Sequence, residues 1–188
     1  MSEQRRIQKI VVIGPESTGK STLCEALAAR YHTRWCPEYA RSYLLKHGTN
    51  YTYDDLMIIA KGQLELEDQY TKALEDITGN ASLQKPLLFI DTDMYVMKVW
   101  CEFVFGKCPT WILDRIVERN YDLYLLCKPD LPWVKDELRE YPDEATRIKL
   151  YHHYKALLTE QPVPWAEISG TSEDRIKKAI AAIDNNLQ

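Results

Sequence analysis

Ile10, Val11, Val12 and Ile13 form an unbroken β-branched run, the pattern of a strand covered on both faces in a parallel sheet. Two further runs repeat it: Leu87 to Ile90, which comes after Pro86 and closes on Asp91, and Leu123 to Cys127, cut off by Lys128-Pro-Asp-Leu-Pro-Trp133. Thr33 to Cys36, stopped by Pro37, and Trp165 to Ile168 are shorter strand candidates.

Between these runs the apolar period changes from continuous to helical. Helices are predicted over Ser21 to Tyr31 and over Glu38 to Lys46, the second ending near Gly48. Thr52-Tyr-Asp-Asp55 resembles a capping box, and Leu56, Ile59, Ala60, Gln63, Leu66, Tyr70 and Leu74 continue at helical spacing to about Ile77. Met94 to Phe105 is a further helix, and Thr110 to Arg119 another, with Pro109 in its first turn. Asp143 to Thr159 also reads as helical. A last helix is capped by Thr171 to Asp174 and carries the apolar face Ile176, Ile180, Ile183 and Leu187. Strands alternating with helices predict a parallel sheet with helices on both sides.

With 188 residues, one domain is expected, and its core can be substantial. Hydrophobic residues make up 45% and charged residues 28%, an ordinary globular balance with no apolar stretch of bilayer length. The opening residues lack an apolar signal core, so nothing marks the chain for export. A net charge of -4 argues against a general nucleic-acid binder. Cys24, Cys36, Cys101, Cys108 and Cys127 show no metal-type spacing and read as reduced thiols in the cytoplasm. His152 and His153 read as solvated.

Chemistry enters at Gly14-Pro-Glu-Ser-Thr-Gly19-Lys20-Ser21, a complete G-x-x-x-x-G-K-[ST] loop between a strand and a helix. Gly14 and Gly19 permit the backbone turns that point successive N–H groups at a phosphate, and the next helix adds its positive dipole end. Glu16, Ser17, Thr18 and Thr22 belong to the same nucleotide-binding stretch. Lys20 is expected on the β/γ-phosphates and Ser21 on Mg²⁺.

The loop says that a nucleoside triphosphate binds, and the reaction it undergoes must be read from other residues. There is no Asn-Lys-x-Asp for guanine, and Asp91-Thr92-Asp93 lacks a glutamate directly after the strand-end aspartate. Both facts favour transfer to an acceptor over hydrolysis or GTP use. Asp91 is a candidate for Mg²⁺ or for orienting the acceptor; Asp93 is either a site residue or a helix cap. Glu38 and Arg41 share a helix face, where they read as a proton acceptor or sugar ligand with a phosphate-facing arginine, or as an ordinary surface pair. The proline-punctuated, charged excursion from about 128 to 147 reads as a lid carrying Trp133, Asp136, Arg139 and Arg147, with its arginines available to a transferring phosphoryl group. Tyr39, Tyr95, Trp100, Trp111 and Trp133 are the aromatic candidates for stacking on a ring.

With these residues assembled, the chain resembles the ribosylnicotinamide kinase domain of the NadR-type proteins. The resemblance is carried by GPESTGKSTL, PEYAR, IAKGQ within a helix, LLFIDTD and DLYLLCKPDLPWVKDELR, with Arg147 farther on. It implies a P-loop NTPase fold, a three-layer α/β/α domain with a five-stranded parallel sheet ordered 2-3-1-4-5, like the nucleoside monophosphate kinases and with a lid. It implies transfer of the ATP γ-phosphate to the 5′-hydroxyl of nicotinamide riboside. Carried over, Gly19, Lys20, Ser21 and Thr22 hold ATP and Mg²⁺, and Glu38 and Arg41 face the acceptor. Asp91 and Asp93 flank metal and ribose, while Asp136, Arg139 and Arg147 act from the lid.

The chain departs from the family pattern at Pro37, where the bifunctional members have tryptophan, and at Glu137, where they have glycine. The four histidines (His32, His47, His152, His153) cannot form the His-x-Gly-His motif of an adenylyltransferase. The loop Ile168 to Thr171 is expected near the adenine. The leading expectation is an ATP-dependent nucleoside kinase in the cytoplasm, acting on a small molecule and not on nucleic acid or membrane. A nucleotide-sensing regulator without turnover and a simple NTPase are the alternatives.

Overall fold

Apolar runs with no polar face are stable only where something covers both sides, and the computed structural model, which describes residues 6–78 and 86–187, supplies that cover. Strands β1 (Gln8–Ile13), β2 (Arg34–Cys36), β3 (Leu87–Asp91), β4 (Leu123–Cys127) and β5 (Trp165–Ile168) pair in the order 2-3-1-4-5. Every pairing is parallel, as the resemblance implies. The helices are α1 (Lys20–Arg30), α2 (Tyr39–His47), α3 (Tyr53–Thr78), α4 (Met94–Phe105), α5 (Thr110–Glu118), α6 (Glu144–Glu160) and α7 (Ser172–Asn186).

Alternation along β1 sends its side chains into two cores. Ile10 and Val12 meet Leu23 and Leu27 of α1 and Ala179 and Ile183 of α7. Val11 and Ile13 join the opposite core with Val96 of α4 and Leu150, Tyr154 and Leu158 of α6. A third cluster ties α2, α3, α4 and α5 through Ala40, Leu56, Met97 and Ile112. It builds a helical wall beside the β2 edge of the sheet.

Element bounds agree with the sequence pattern to within two residues or so, and the capping logic is visible. Asp93 accepts from Tyr95 N and Val96 N at the start of α4, Asp143 accepts from Thr146 N at the start of α6, and Thr171 with Asp174 forms a full capping box on α7. The expected apolar face of α7 packs on the core, and the buried surface extends beyond it. The fully buried residues of α7 are Arg175, Ala179, Ala182 and Ile183, with Ile176, Ile180 and Leu187 only partly covered. The small alanines let α7 pack closely beside α1, and the rotation carries Arg175 inward. Residues 1–5, read as lacking an export signal, lie outside the described residues. No described helix is long and apolar enough to cross a membrane.

Candidate active site

The phosphate loop runs from the end of β1 to the first turn of α1, at the carboxyl edge of the sheet where open α/β folds bind ligands. Its backbone alternates in hand: Gly14 has φ +143°, Ser17 +55° and Gly19 +75°. At Gly14 only a hydrogen fits, since a Cβ would lie 2.6 Å from the Cys127 carbonyl oxygen at the end of β4. Lys20 folds back over the loop, its Nζ donating to the Pro15 carbonyl at 2.9 Å, and Thr18 Oγ1 donates to the same oxygen at 2.8 Å.

Strand pairing places Asp91 beside Val12, next to this loop. Ser21 Oγ donates to Asp91 Oδ2 at 2.5 Å, while the buried Asp91 Oδ1 has no partner. A hydroxyl and an orphaned carboxylate oxygen of this kind fit a hard divalent cation, which takes oxygen ligands. Burial pushes the Asp91 carboxyl up, against the pull of Lys20 and the Ser21 bond. Thr92 comes next with φ +80°, a strained position for a β-branched residue. Its hydroxyl donates to Glu38 Oε1 at 3.5 Å. Burial and then the Asp91 charge push Glu38 up, and Lys20 and Arg41 oppose them. Lys20 pulls both carboxyls back toward the charged form.

Glu38 sits at the head of α2 because Gln63 holds it there. Gln63 is 1% exposed; its Oε1 accepts from Tyr39 N at 2.7 Å, and its Nε2 donates to the Pro37 and Asp91 carbonyls at 3.4 Å each. Sequence reasoning gave Gln63 no role of its own; the signal was an amide on an otherwise apolar helix stripe. The neighbouring Gly62 leaves room for the Tyr39 ring, whose nearest atom would be 2.2 Å from an added Cβ. Tyr39 therefore packs against α3.

Arg175 is the second residue whose role sequence reasoning missed. At 3% exposure, it donates to the carbonyls of Thr18 (3.0 Å), Lys128 (3.0 Å) and Gly170 (2.9 Å) and pairs with Asp130. One guanidinium thus ties the phosphate loop to the ends of β4 and β5. Its signal was a charged residue one turn into a capped helix.

Residues 128–143 form an irregular stretch between β4 and α6. Trp133 Nε1 donates to Glu16 Oε1 at 3.1 Å, and Asp136 pairs with Arg41 at 3.1 Å. Arg41 and the Leu138 N–H hold the Asp136 carboxyl below its ordinary range. Arg139 donates to the Val134 carbonyl and faces the cavity. Arg147, in the first turn of α6, is 5% exposed; its Nη1 reaches the Leu131 carbonyl at 3.4 Å, and its buried Nε has no partner.

A cavity of about 490 Å³ runs from the phosphate loop to a far end walled by Trp100, Phe103 and Tyr141. Lys20, Glu38, Arg41, Asp136 and Arg139 line it. Asp93 does not: its Oδ1 caps α4 and its Oδ2 accepts from Tyr124 at 2.9 Å. Of the aromatic candidates, Trp100 lines the cavity, with Nε1 donating to Tyr51 at 2.9 Å. Trp111 lies under Lys61 and Arg115, and Tyr95 packs edge-on to Tyr124.

Residues 9–175 match the AAA domain family. The chain is 27% identical over 172 residues to the trifunctional NAD biosynthesis/regulator protein NadR of Escherichia coli and to that of Salmonella typhimurium, covering 89% of this chain and 40% of theirs. The chain thus spans well under half the length of the curated relatives it matches. A solved NadR protein in complex with NR superposes with a TM-score of 0.75 at 20% identity, over 97% of this chain and 52% of that one. Thymidylate kinase from Candida albicans superposes at 0.63 and 15% identity, over 96% and 92%. The fold is that of the nucleoside-monophosphate-kinase-like P-loop proteins.

Proposed function

The chain belongs to the AAA domain family, and from that premise we propose that it is an ATP-dependent nucleoside kinase, with nicotinamide riboside as its acceptor. The observation that carries this reading is a cavity that runs from the phosphate loop, with Lys20 and Ser21, past the half-buried Glu38 to an end walled by Trp100, Phe103 and Tyr141, with the buried Asp91 accepting from Ser21 beside it. The relatives named for NAD biosynthesis supply the acceptor.

In this reading Lys20 leaves the Pro15 carbonyl for the β/γ-phosphates, and the alternating backbone from Gly14 to Gly19 cradles them with its N–H groups. Ser21 and Asp91 Oδ1 would hold Mg²⁺, which would supply charge neutralisation for the phosphates. Glu38 orients the 5′-hydroxyl and takes its proton as that oxygen bonds to the γ-phosphorus and the bridging oxygen departs with ADP. Arg139, which lines the cavity, would stabilise charge on the transferring group, whereas the buried Arg147 does not line it and would hold the segment at the Leu131 carbonyl. The lid segment keeps bulk water out. Trp100 offers a ring face to the base. A cytoplasmic setting is supported by five unpaired cysteines, and a small-molecule acceptor in place of a nucleic acid by the net charge of -4.

The test incubates the protein with Mg-ATP and a panel of nucleosides and mononucleotides and reads the mass gain of one phosphate, with Lys20→Ala as control. Phosphorylated nicotinamide riboside, lost in the control, is expected. ADP without a phosphorylated acceptor would replace the kinase reading with hydrolysis, and binding without either product would replace it with nucleotide sensing.

A further inference from the structure

We propose that Glu16, in the phosphate loop itself, is a positioning residue that clasps the 133–141 segment and registers it against the phosphates. Its carboxylate collects three hydrogen bonds, all from that segment: Trp133 Nε1 at 3.1 Å and Tyr141 N at 2.8 Å on Oε1, and Glu140 N at 2.9 Å on Oε2. The adjacent Ser17 Oγ accepts from Val134 N at 3.0 Å. Two neighbouring loop side chains therefore hold both the point where the segment arrives, at 133 and 134, and the point where it leaves, at 140 and 141.

Between the clasps lies the functional part of the lid. Asp136 pairs with Arg41 of α2, Arg139 closes the segment on itself through the Val134 carbonyl, and Leu138 lines the cavity. Because the clasp is made by the loop that holds phosphate, the distance from Arg139 to Lys20 and the shape of the acceptor end are fixed by one unit. A lid hinged on β4 and α6 alone would carry its arginine independently of the phosphates. Here the two are locked in register, and a nucleotide that orders the loop orders the acceptor chamber with it.

The chemistry of the clasp is specific to a carboxylate. Glu16 has no ion pair among the described residues, so neutral N–H donors alone satisfy its charge. All three partners donate. A glutamine can offer one oxygen, but its amide nitrogen would then face the Glu140 N–H, donor against donor. Glu16→Gln is therefore expected to open the clasp with almost no change in shape, and Glu16→Ala to remove it.

The experiment has two arms, and only the second rests on the kinase reading. In the first, brief trypsin treatment reads cleavage after Lys135 and Arg139, which lie inside the clasped segment, beside a thermal melt and the Trp133 contribution to fluorescence, obtained by difference from Trp133→Phe. Cleavage in both Glu16 variants is expected to accelerate by about tenfold or more, since proteolysis tracks local opening, with the melting temperature nearly unchanged. Wild-type cleavage rates in both variants would overturn the proposal.

In the second arm, AMP-PNP affinity is expected to shift by less than about threefold while the acceptor KM rises about tenfold. Equal loss of nucleotide and acceptor binding would reduce Glu16 to a structural part of the phosphate loop and overturn the proposal. If the wild-type protein phosphorylates nothing, the kinase reading falls, and cleavage and fluorescence still decide whether the clasp exists.

Discussion

Asp93 shows how a single buried group sets a pH dependence. It caps α4, accepts from Tyr124, and is 1% exposed. Burial pushes its carboxyl up to about 7 from an ordinary 3.8, even though its hydrogen bonds pull the other way. Between those values the folded protein holds a proton that the unfolded chain has released, so the contribution to stability is full below about pH 4 and is lost as pH rises through 7. Asp93→Asn keeps an acceptor for the cap and removes the titration. Thermal melts from pH 4 to pH 8 should show wild type losing roughly 2–4 kcal/mol relative to the asparagine variant over that range; parallel curves would mean that Asp93 stays ionised throughout. The nearby Asp91 and Glu38 are pushed up as well, so the difference between the two proteins is the quantity to read.

The elements carry a second prediction, because α7 does more than close the sheet. Its Arg175 holds the carbonyls of Thr18, Lys128 and Gly170 and the Asp130 carboxylate. Arg175→Met keeps much of the buried volume and takes the donor from the three carbonyls, while the exposed Asp130 keeps its bond from Gly170 N, a change expected to cost about 3 kcal/mol. Nucleotide affinity should fall along with it, since the phosphate loop loses its tether. Denaturant unfolding with AMP-PNP titration checks both, and a stable variant with loosened nucleotide would separate the tether from the fold. The isoleucines of α7 gave the face that packs on the core, but not the buried Arg175 beside it. The β1, β3 and β4 strands were legible because a run with no polar face has one stable environment, and the helix caps were legible because they are local chemistry. The phosphate loop was legible for the same reason. Arg175, Gln63 and the Glu16 clasp were not, since each bonds to backbone far away in sequence, and a backbone partner leaves no side-chain signature. The segment from 128 was legible as an irregular excursion from its prolines and charges, but not its attachment, because donors on a peptide backbone carry no residue identity.

At the scale of the whole molecule, the sheet order puts the switch point of the fold beside β1 and the ligand crevice over its carboxyl edge. That architecture is shared with thymidylate kinase, so fold alone leaves open whether the acceptor carries a phosphate. Charge decides it. The cavity is lined by the carboxylates of Glu16, Glu38, Asp136 and Glu140 against Lys20, Arg41 and Arg139. Lys20 belongs to the phosphate loop, and Arg41 is already paired with Asp136. An acceptor with a 5′-phosphate would place its negative charge beside the half-buried Glu38 and the other cavity carboxylates, and like charges at close range in a partly desolvated site cost several kcal/mol. A nucleoside brings no such charge, and its 5′-hydroxyl can donate to Glu38. The protein is therefore expected to favour a nucleoside over its own 5′-monophosphate by about a hundredfold or more in kcat/KM, a difference of roughly 3 kcal/mol. Because the repulsion is electrostatic, part of that preference should shrink when the ionic strength is raised from about 0.05 M to about 0.5 M, with the rest retained where the pair is buried. Equal turnover of the monophosphate at both salt concentrations would show that Arg41 leaves Asp136 to receive the phosphate, and would move this chain to the nucleotide side of its fold.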